Sequence, residues 1–547
     1  MKSRYLFAIS LMALGFASSS AQSAIDAYNI TPTQLRGTAR FVGMGGAFTA
    51  LGGDLSTMTQ NPAGLGIYRK SEIGLTFDVS IRNYAATTDQ KYTNNRTKAY
   101  FDNIGYVGAY RLDGMLSFLQ FGVSYNRLNT FDRITQGYNA NTNTSLSNYV
   151  ASYTNGVNSG DLLPDKSMNY DPFWDSSNDW LSILSYQSMM INNPYSADGT
   201  PIDDKYVGLF QNGTRGDALY SVREYGYTDE YNIDIAGNLG DILYWGLGVG
   251  IVDMSYTRSA IYSESMANAL VYSKNQDILT PGNAGFNLYN DRYVSGSGAN
   301  FKFGLIVRPT DMLRFGFAIH TPTYLHLNHS GYADTECNYT PDNEVDTQHP
   351  TTQADISTPV YEYSSRLTTP WRFTVGAALT IGSQALVSLD YERVAYNDMK
   401  LKEQNFGTLG GNYVENKFAN EDVKRYFKAA NIIRVGAEYR ITPQFSVRAG
   451  YNYQTSNVKD DVRYNATIYT SGTDPSYSLD KATTNIAFGL GYRVGSWYID
   501  ATYQHTNRKS TFHAYTPWTS SGDGSVTPSA SVSDNYNNII ISTGIRF

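Results

Sequence analysis

A membrane-spanning antiparallel β-barrel of about fourteen strands, with an N-terminal segment folded inside it, is the fold class this chain predicts. Three observations carry the prediction. Long stretches alternate apolar and polar residues with a period of two, so successive side chains fall on opposite faces of a strand. Short, turn-forming connections alternate with long polar ones along the sequence. Aromatic residues make up 14% of the 547 residues, including 46 Tyr, which favours extended structure. No composition break divides the chain, so one large architecture is favoured over several domains.

Residues 1–21 read as a secretory signal. Lys2 and Arg4 give a positive start, residues 5–16 an apolar core, and Ser19, Ser20 and Ala21 the small residues a cleavage site needs. Cleavage after Ala21 leaves Gln22 first. Residues 22–70 are the hatch, and the barrel with its long outer loops fills 71–547. The stretch 43–66, GMGGAFTALGGDLSTMTQNPAGLG, is too rich in glycine and too weakly periodic for an ordinary helix or strand. Its glycines let backbone pack closely inside a crowded barrel.

The wall begins near Ser71. In 444–454 (QFSVRAGYNYQ), Phe445, Val447, Ala449, Tyr451 and Tyr453 share one face, and Ser446, Arg448, Gly450, Asn452 and Gln454 the other. The same division recurs in 485–494, 496–504 and 243–251. Turns at Asp113 and Gly114, Gly240 and Asp241, Thr310 and Asp311, Gly382 and Ser383, Thr442 and Pro443, and Gly495 and Ser496 use the residues tight turns require. Between them lie polar stretches at about 84–99, 129–221, 257–299, 329–357, 397–426, 456–481 and 508–533. Six short and seven long connections imply about fourteen strands, an even number with short turns on one side, as in outer-membrane barrels. Two loop stretches read as helical: 179–191, with Trp180, Leu181, Leu184 and Met190 on one side, and 263–275, with Met266, Ala267, Leu270 and Val271. Such helices either pack on neighbouring loops or offer a greasy landing groove. The last strand ends on Phe547, which reads as a signal to barrel-assembly machinery.

Other classes fit poorly. The net charge of −7 argues against a nucleic-acid surface. The single cysteine, Cys337, excludes a disulfide framework and any CxxC site. GMGGAF and GLGVG lack the Lys-Ser/Thr ending and the strand–loop–helix setting of a phosphate loop. His320, His326 and His329 read as surface or loop histidines: on a strand the first two lie about 20 Å apart at ~3.3 Å per residue, too far to share an ion. No metal or cofactor is implied. No GxSxG elbow or His-centred constellation marks an enzyme.

With signal, hatch, wall and terminal Phe in place, the chain resembles the FadL/OmpP1/TodX family of outer-membrane transporters for hydrophobic compounds. The resemblance rests on 37–65, GTARFVGMGGAFTALGGDLSTMTQNPAGL, above all Gly43, Gly45, Gly46 and the triplet Asn61, Pro62, Ala63, with echoes at 369–379 and 386–394. It implies passive uptake across the Gram-negative outer membrane. A hydrophobic molecule such as a long-chain fatty acid enters a greasy pocket, shifts the hatch, and leaves sideways into the membrane lipid. It also implies an inward kink in the third strand, here about 117–129, for which Gly122 is the candidate. Arg434, Arg448 and Arg493 fall on wet faces, as do Asp390, Glu392, Glu438 and Asp500. Either these charges pair across the lumen, or the arginines hold a ligand carboxylate. A general porin and a surface binding or adhesion protein are the alternative functions.

Overall fold

The computed structural model describes residues 22–273, 278–342, 352–404, 412–465, 467–516 and 527–547; the expected signal at 1–21 lies outside the described residues. The wall strands alternate as expected. Ile73, Phe77, Val79 and Ile81 of the first strand, Glu72–Thr87, face outward and are exposed, while Asp78, Ser80 and Arg82 between them are buried inside. Ile486, Phe488, Leu490 and Tyr492 repeat the outward row on Tyr477–Val494. A polar inner row and a continuous apolar outer row leave each strand one stable setting: a closed sheet with lipid outside.

Fourteen antiparallel strand positions close the barrel. The first three are Glu72–Thr87, Lys91–Arg111 and Leu116–Thr130, the last continued as Arg133–Thr142. The fourth to sixth are Arg215–Leu239, Leu243–Tyr272 and Leu279–Val307. The seventh to ninth are interrupted: Leu313–His320 with Tyr324–Pro341, Tyr361–Thr368 with Arg372–Ile381, and Ala385–Val394 with Lys400–Gln404. The last five are Ala430–Arg440, Phe445–Gln454, Tyr477–Val494, Trp497–His513 and Ser529–Arg546. The fourteenth pairs with the first along its whole length, from Glu72 opposite Arg546 to Thr87 opposite Ser531. Backbone bonds between Ser71 and Phe547, 3.0 Å each way, fasten the two ends of the wall.

Two expectations about the loops need correction. The strands run on past the point where the sequence turns polar. Residues 84–99 are mostly strand, and the fifth strand continues to Tyr272. The helix expected at 263–275 is therefore strand: Met266, Ala269 and Val271 are buried, and a bulge at 267–268, with Asn268 at φ 57°, resets the register. Burial against the loop cluster overrides the local helical spacing. The other helix is present as Trp180–Gln187, capped by Asp179. Its Trp180, Leu181 and Leu184 are buried with Leu146, Val150, Leu209 and Phe286 in one core of the long-loop end. That helix packs on its neighbours, and its Trp180 also lines a small cavity with Tyr361 and Tyr363.

Candidate functional site

The hatch descends the lumen from the long-loop end to the short-turn end. It starts as the helix Ala24–Ile30, whose Ser23 and Asp26 cap one another's backbone N–H groups at 3.2 and 2.8 Å. Ile25, Tyr28 and Ile30 join a luminal core with Val252, Met254, Leu327 and Phe427. Asp26 is ion-paired with Arg292 of the sixth strand. Burial pushes the Asp26 carboxyl up, but Arg292, Ser471 and the Ser23 backbone outweigh it and hold the group below the ordinary carboxylate value.

Below this the hatch is stitched to the wall by its backbone. Ala39 N–H donates to Ser542 Oγ at 2.7 Å, and Thr502 Oγ1 donates to the Ala39 carbonyl at 2.6 Å. Thr49 donates twice to Asp390 Oδ2, at 2.9 Å from N and 2.7 Å from Oγ1. The expected motif has a physical content. Asn61 Oδ1 accepts from Ala63 N at 3.1 Å, Asn61 Nδ2 donates to the Thr49 carbonyl at 2.6 Å, and Pro62 opens the short helix Pro62–Ile67. Ala63 then lies against Gly246, where any side chain would strike the Pro62–Ala63 backbone. Gly45, at φ 63°, meets Gly450 of the eleventh strand backbone to backbone. A sealed lumen thus requires glycine on both partners, which is why glycines crowd the hatch and the inner row of the wall together.

The third strand parts from the second while staying paired with the fourth. Its ladder to the second strand ends at Asn103 opposite Asn126, so residues 91–101 of the second strand have ladder partners on the first strand alone among the described residues. The strand breaks at Phe131 and Asp132, both buried. Arg82 Nη1 and Tyr84 OH donate to the Asp132 carbonyl at 2.6 and 2.7 Å, and Lys98 and Tyr100 hold its carboxylate. The Phe131 ring lies edge-on to Tyr256, centroids 5.0 Å apart. The hatch grips the same bend: Gln34 donates to the carbonyls of Leu128 at 3.0 Å and Thr130 at 3.1 Å. Beyond it, Arg133 reaches Asp480 at 2.9 Å and Ser510 at 2.8 Å on the twelfth and thirteenth strands. The segment has turned inward.

Gly122 is not the bend. It is paired regularly with Val107 on one side and Asp234 on the other. A Cβ there would meet Leu65 and Met58 of the hatch at 2.8 Å, so this glycine makes room for the hatch. One sign of the bend is readable in the chain, a charged residue after a Thr–Phe pair where alternation lapses.

Of the cavities that flank the hatch, two bear on the candidate arginines. The luminal one, about 130 Å³, is lined by Tyr28, Leu35, Phe41 and Ile432 together with Arg36, Arg434 and Arg508, and it reaches 126–129 beside the bend. It is less greasy than the resemblance implied, because wall charges face it in pairs. Arg372 bonds Glu392 at 2.6 Å, Arg434 pairs with the same Glu392, and Arg508 bonds Asp480 at 2.6 Å. Arg434 keeps a buried Nη1 without a partner. The three candidate arginines do not converge. Arg448 is occupied by Glu438 and Asp500, each at 2.6 Å, and Arg493 lines the second cavity at the short-turn end.

The histidines were expected at the surface, yet His320 and His329 are buried, 2.8 Å from the Gln60 carbonyl and from Ser365 Oγ, while His326 stands beside Tyr413. Among the described residues no group of His, Cys, Asp or Glu side chains could hold a metal ion.

A closed fourteen-strand barrel with an apolar outer band and an internal hatch defines an outer-membrane transport protein of the plugged class. The sequence profile of the outer membrane protein transport protein (OMPP1/FadL/TodX) family matches residues 230–523, just over half the chain, and the protein belongs to that family. The match falls in the wall, outside the hatch segment that carried the resemblance. A FadL homologue from Pseudomonas aeruginosa is similar at 14% identity, covering 94% of this chain and 100% of its own, with a TM-score of 0.50. The toluene transporter TodX of P. putida is similar at 14% identity, 94% and 99% coverage, and a TM-score of 0.48. No curated protein sequence matches the chain.

Proposed function

We propose that this protein passively carries hydrophobic molecules with an anionic head, such as long-chain fatty acids, inward across the Gram-negative outer membrane, releasing them sideways into the lipid. The observation that supports this reading is the unpaired edge at 91–102, whose lower end, opposite Val79 and Phe77, meets the apolar outer band beside the hatch. A polar solute gains nothing from a side door into lipid. An oily one avoids water by it. Arg434, which lines the luminal cavity, suits a carboxylate head, with the tail toward Phe41, Leu35 and the bend. This favours a fatty-acid-like cargo over a bare hydrocarbon such as the toluene named for the P. putida relative. The short turns face the periplasm in this reading, and Phe547 serves barrel assembly.

The test is uptake of a fluorescent long-chain fatty acid by Gram-negative cells that make this protein, with and without a protonophore, beside conductance in planar bilayers. Uptake insensitive to the protonophore, with no steady ion steps, is expected. Large steady steps would instead identify a porin.

A further inference from the structure

The second cavity has a composition that the transport reading does not use. It encloses about 410 Å³ at the short-turn end, beneath the hatch. The hatch contributes Arg40, Leu51, Ile67, Tyr68, Arg69 and Lys70 among others, and the wall strands with their short turns the rest. Seven of its lining residues are cations and one, Glu438, is an acid. Three of the cations are matched: Arg40 with Glu438 at 3.0 Å, Arg546 with Glu72, and Arg69 with Asp241. Glu438 is already shared with Arg448.

Four remain. Lys70, Arg314, Arg440 and Arg493 have no carboxylate within ion-pair distance among the described residues. Arg314 donates from Nη1 to the Leu51 carbonyl at 3.1 Å, and its Nε is buried without a partner. Arg440 has a carbonyl partner, Ser383, at 3.4 Å. These cations converge from the seventh, tenth and twelfth strands and from the link between hatch and wall. Lys70 and Arg440 are exposed and solvated, so the cost of a missing counter-charge falls on the half-buried Arg314 and Arg493. Guanidinium groups take up planar oxyanions through paired hydrogen bonds. Leu51, Ile67 and Leu386 supply an apolar side to the same space.

We propose that this basic vestibule binds the anionic head of an amphiphile, a carboxylate or a phosphate, with Arg314 and Arg493 as its principal donors. The site lies across the hatch from the luminal cavity and does not depend on the cargo or exit route proposed above.

Native mass spectrometry of the purified, delipidated full-length protein in a neutral detergent tests it, with laurate, phosphatidylglycerol and inorganic phosphate as separate probes. The variant pair is R314Q/R493Q and R314K/R493K, each first checked for the heat-shifted gel migration of a folded barrel. Both residues line this cavity and not the luminal one, so any luminal binding is common to all forms. Affinity for at least one amphiphile falls about tenfold in the Gln variant and is kept in the Lys variant. Loss confined to laurate or to phosphatidylglycerol assigns the head group to that amphiphile, whereas loss for phosphate alone marks a free-anion site and overturns the amphiphile proposal. Equal binding of all three probes by the wild type and a folded R314Q/R493Q overturns the proposal.

Discussion

The seam between the fourteenth and first strands and the seam between the second and third are made of similar sequence, yet one is closed and the other is not. At the first seam every residue from Glu72 to Thr87 finds a partner. At the second, pairing stops at Asn103 although the second strand runs back to Lys91. Strand propensity does not explain the difference, because residues 91–101 all pair with the first strand and Asp102 alone is bulged out. The difference lies in what captures the third strand. Arg82, Tyr84, Lys98 and Tyr100 bond Asp132 from one side and Gln34 bonds the chain from the hatch. Inward polar contacts have replaced a ladder to the neighbouring strand. The outward residues Lys91, Thr93, Asn95 and Thr97 are polar and exposed, so water satisfies the upper part of this edge. Only its lower end, where Ala99 and Phe101 face Val79 and Phe77, meets the apolar band, and there an open edge is costly.

The largest effect should come from removing the bend. Deleting Phe131 and Asp132, so that Thr130 leads straight to Arg133, lets the third strand continue along the second. Fatty-acid uptake should fall about tenfold or more, a rise of roughly 1.4 kcal/mol in the barrier, with barrel folding retained on gels. Next is the hatch. Gly450→Val drives a side chain into Gly45, where overpacking costs about 1–3 kcal/mol. The hatch should then seat poorly, and steady ion conductance should appear in bilayers where the wild type has none. Asp132→Asn is milder. Weakening charge-assisted bonds to Lys98 and Tyr100 removes up to about 1.5–3 kcal/mol locally, read as faster amide exchange over 127–135 with the fourteenth–first seam unchanged.

The smallest effect concerns acid. Asp26 has a carboxyl pKa held below its unfolded value, so its contribution to docking is complete above the unfolded pKa and is lost as pH falls through the folded one. Below about pH 4, exchange of the Ala24–Ile30 amides should rise relative to neutral pH. In Asp26→Asn the amides should exchange faster at both pH values, with little difference between them.

How much of this was legible in the chain follows from which signals are local. The wall was readable because alternation is a property of each strand alone, as at Phe445, Val447 and Tyr451. The hatch was readable because glycines such as Gly45 and the Asn61, Pro62, Ala63 triplet have local consequences. Gly122 misled because glycine marks close approach as often as a bend, and its reason, Leu65 and Met58 overhead, is a contact across the barrel. Asp132 could not be singled out, since its partners Arg82 and Tyr100 are distant in sequence. Arg434, Arg448 and Arg493 looked alike on their strands; only the fold gives Arg448 two carboxylates and leaves Arg493 none.

The central claim is that cargo leaves through the gap between the second and third strands. The direct measurement is photocrosslinking with a diazirine-bearing long-chain fatty acid in outer membranes, followed by mapping of the adducts. Adducts on 92–102 and 126–131 are the expected result. Adducts at the short turns near Ser383 and Pro443, with none along the gap, would contradict it.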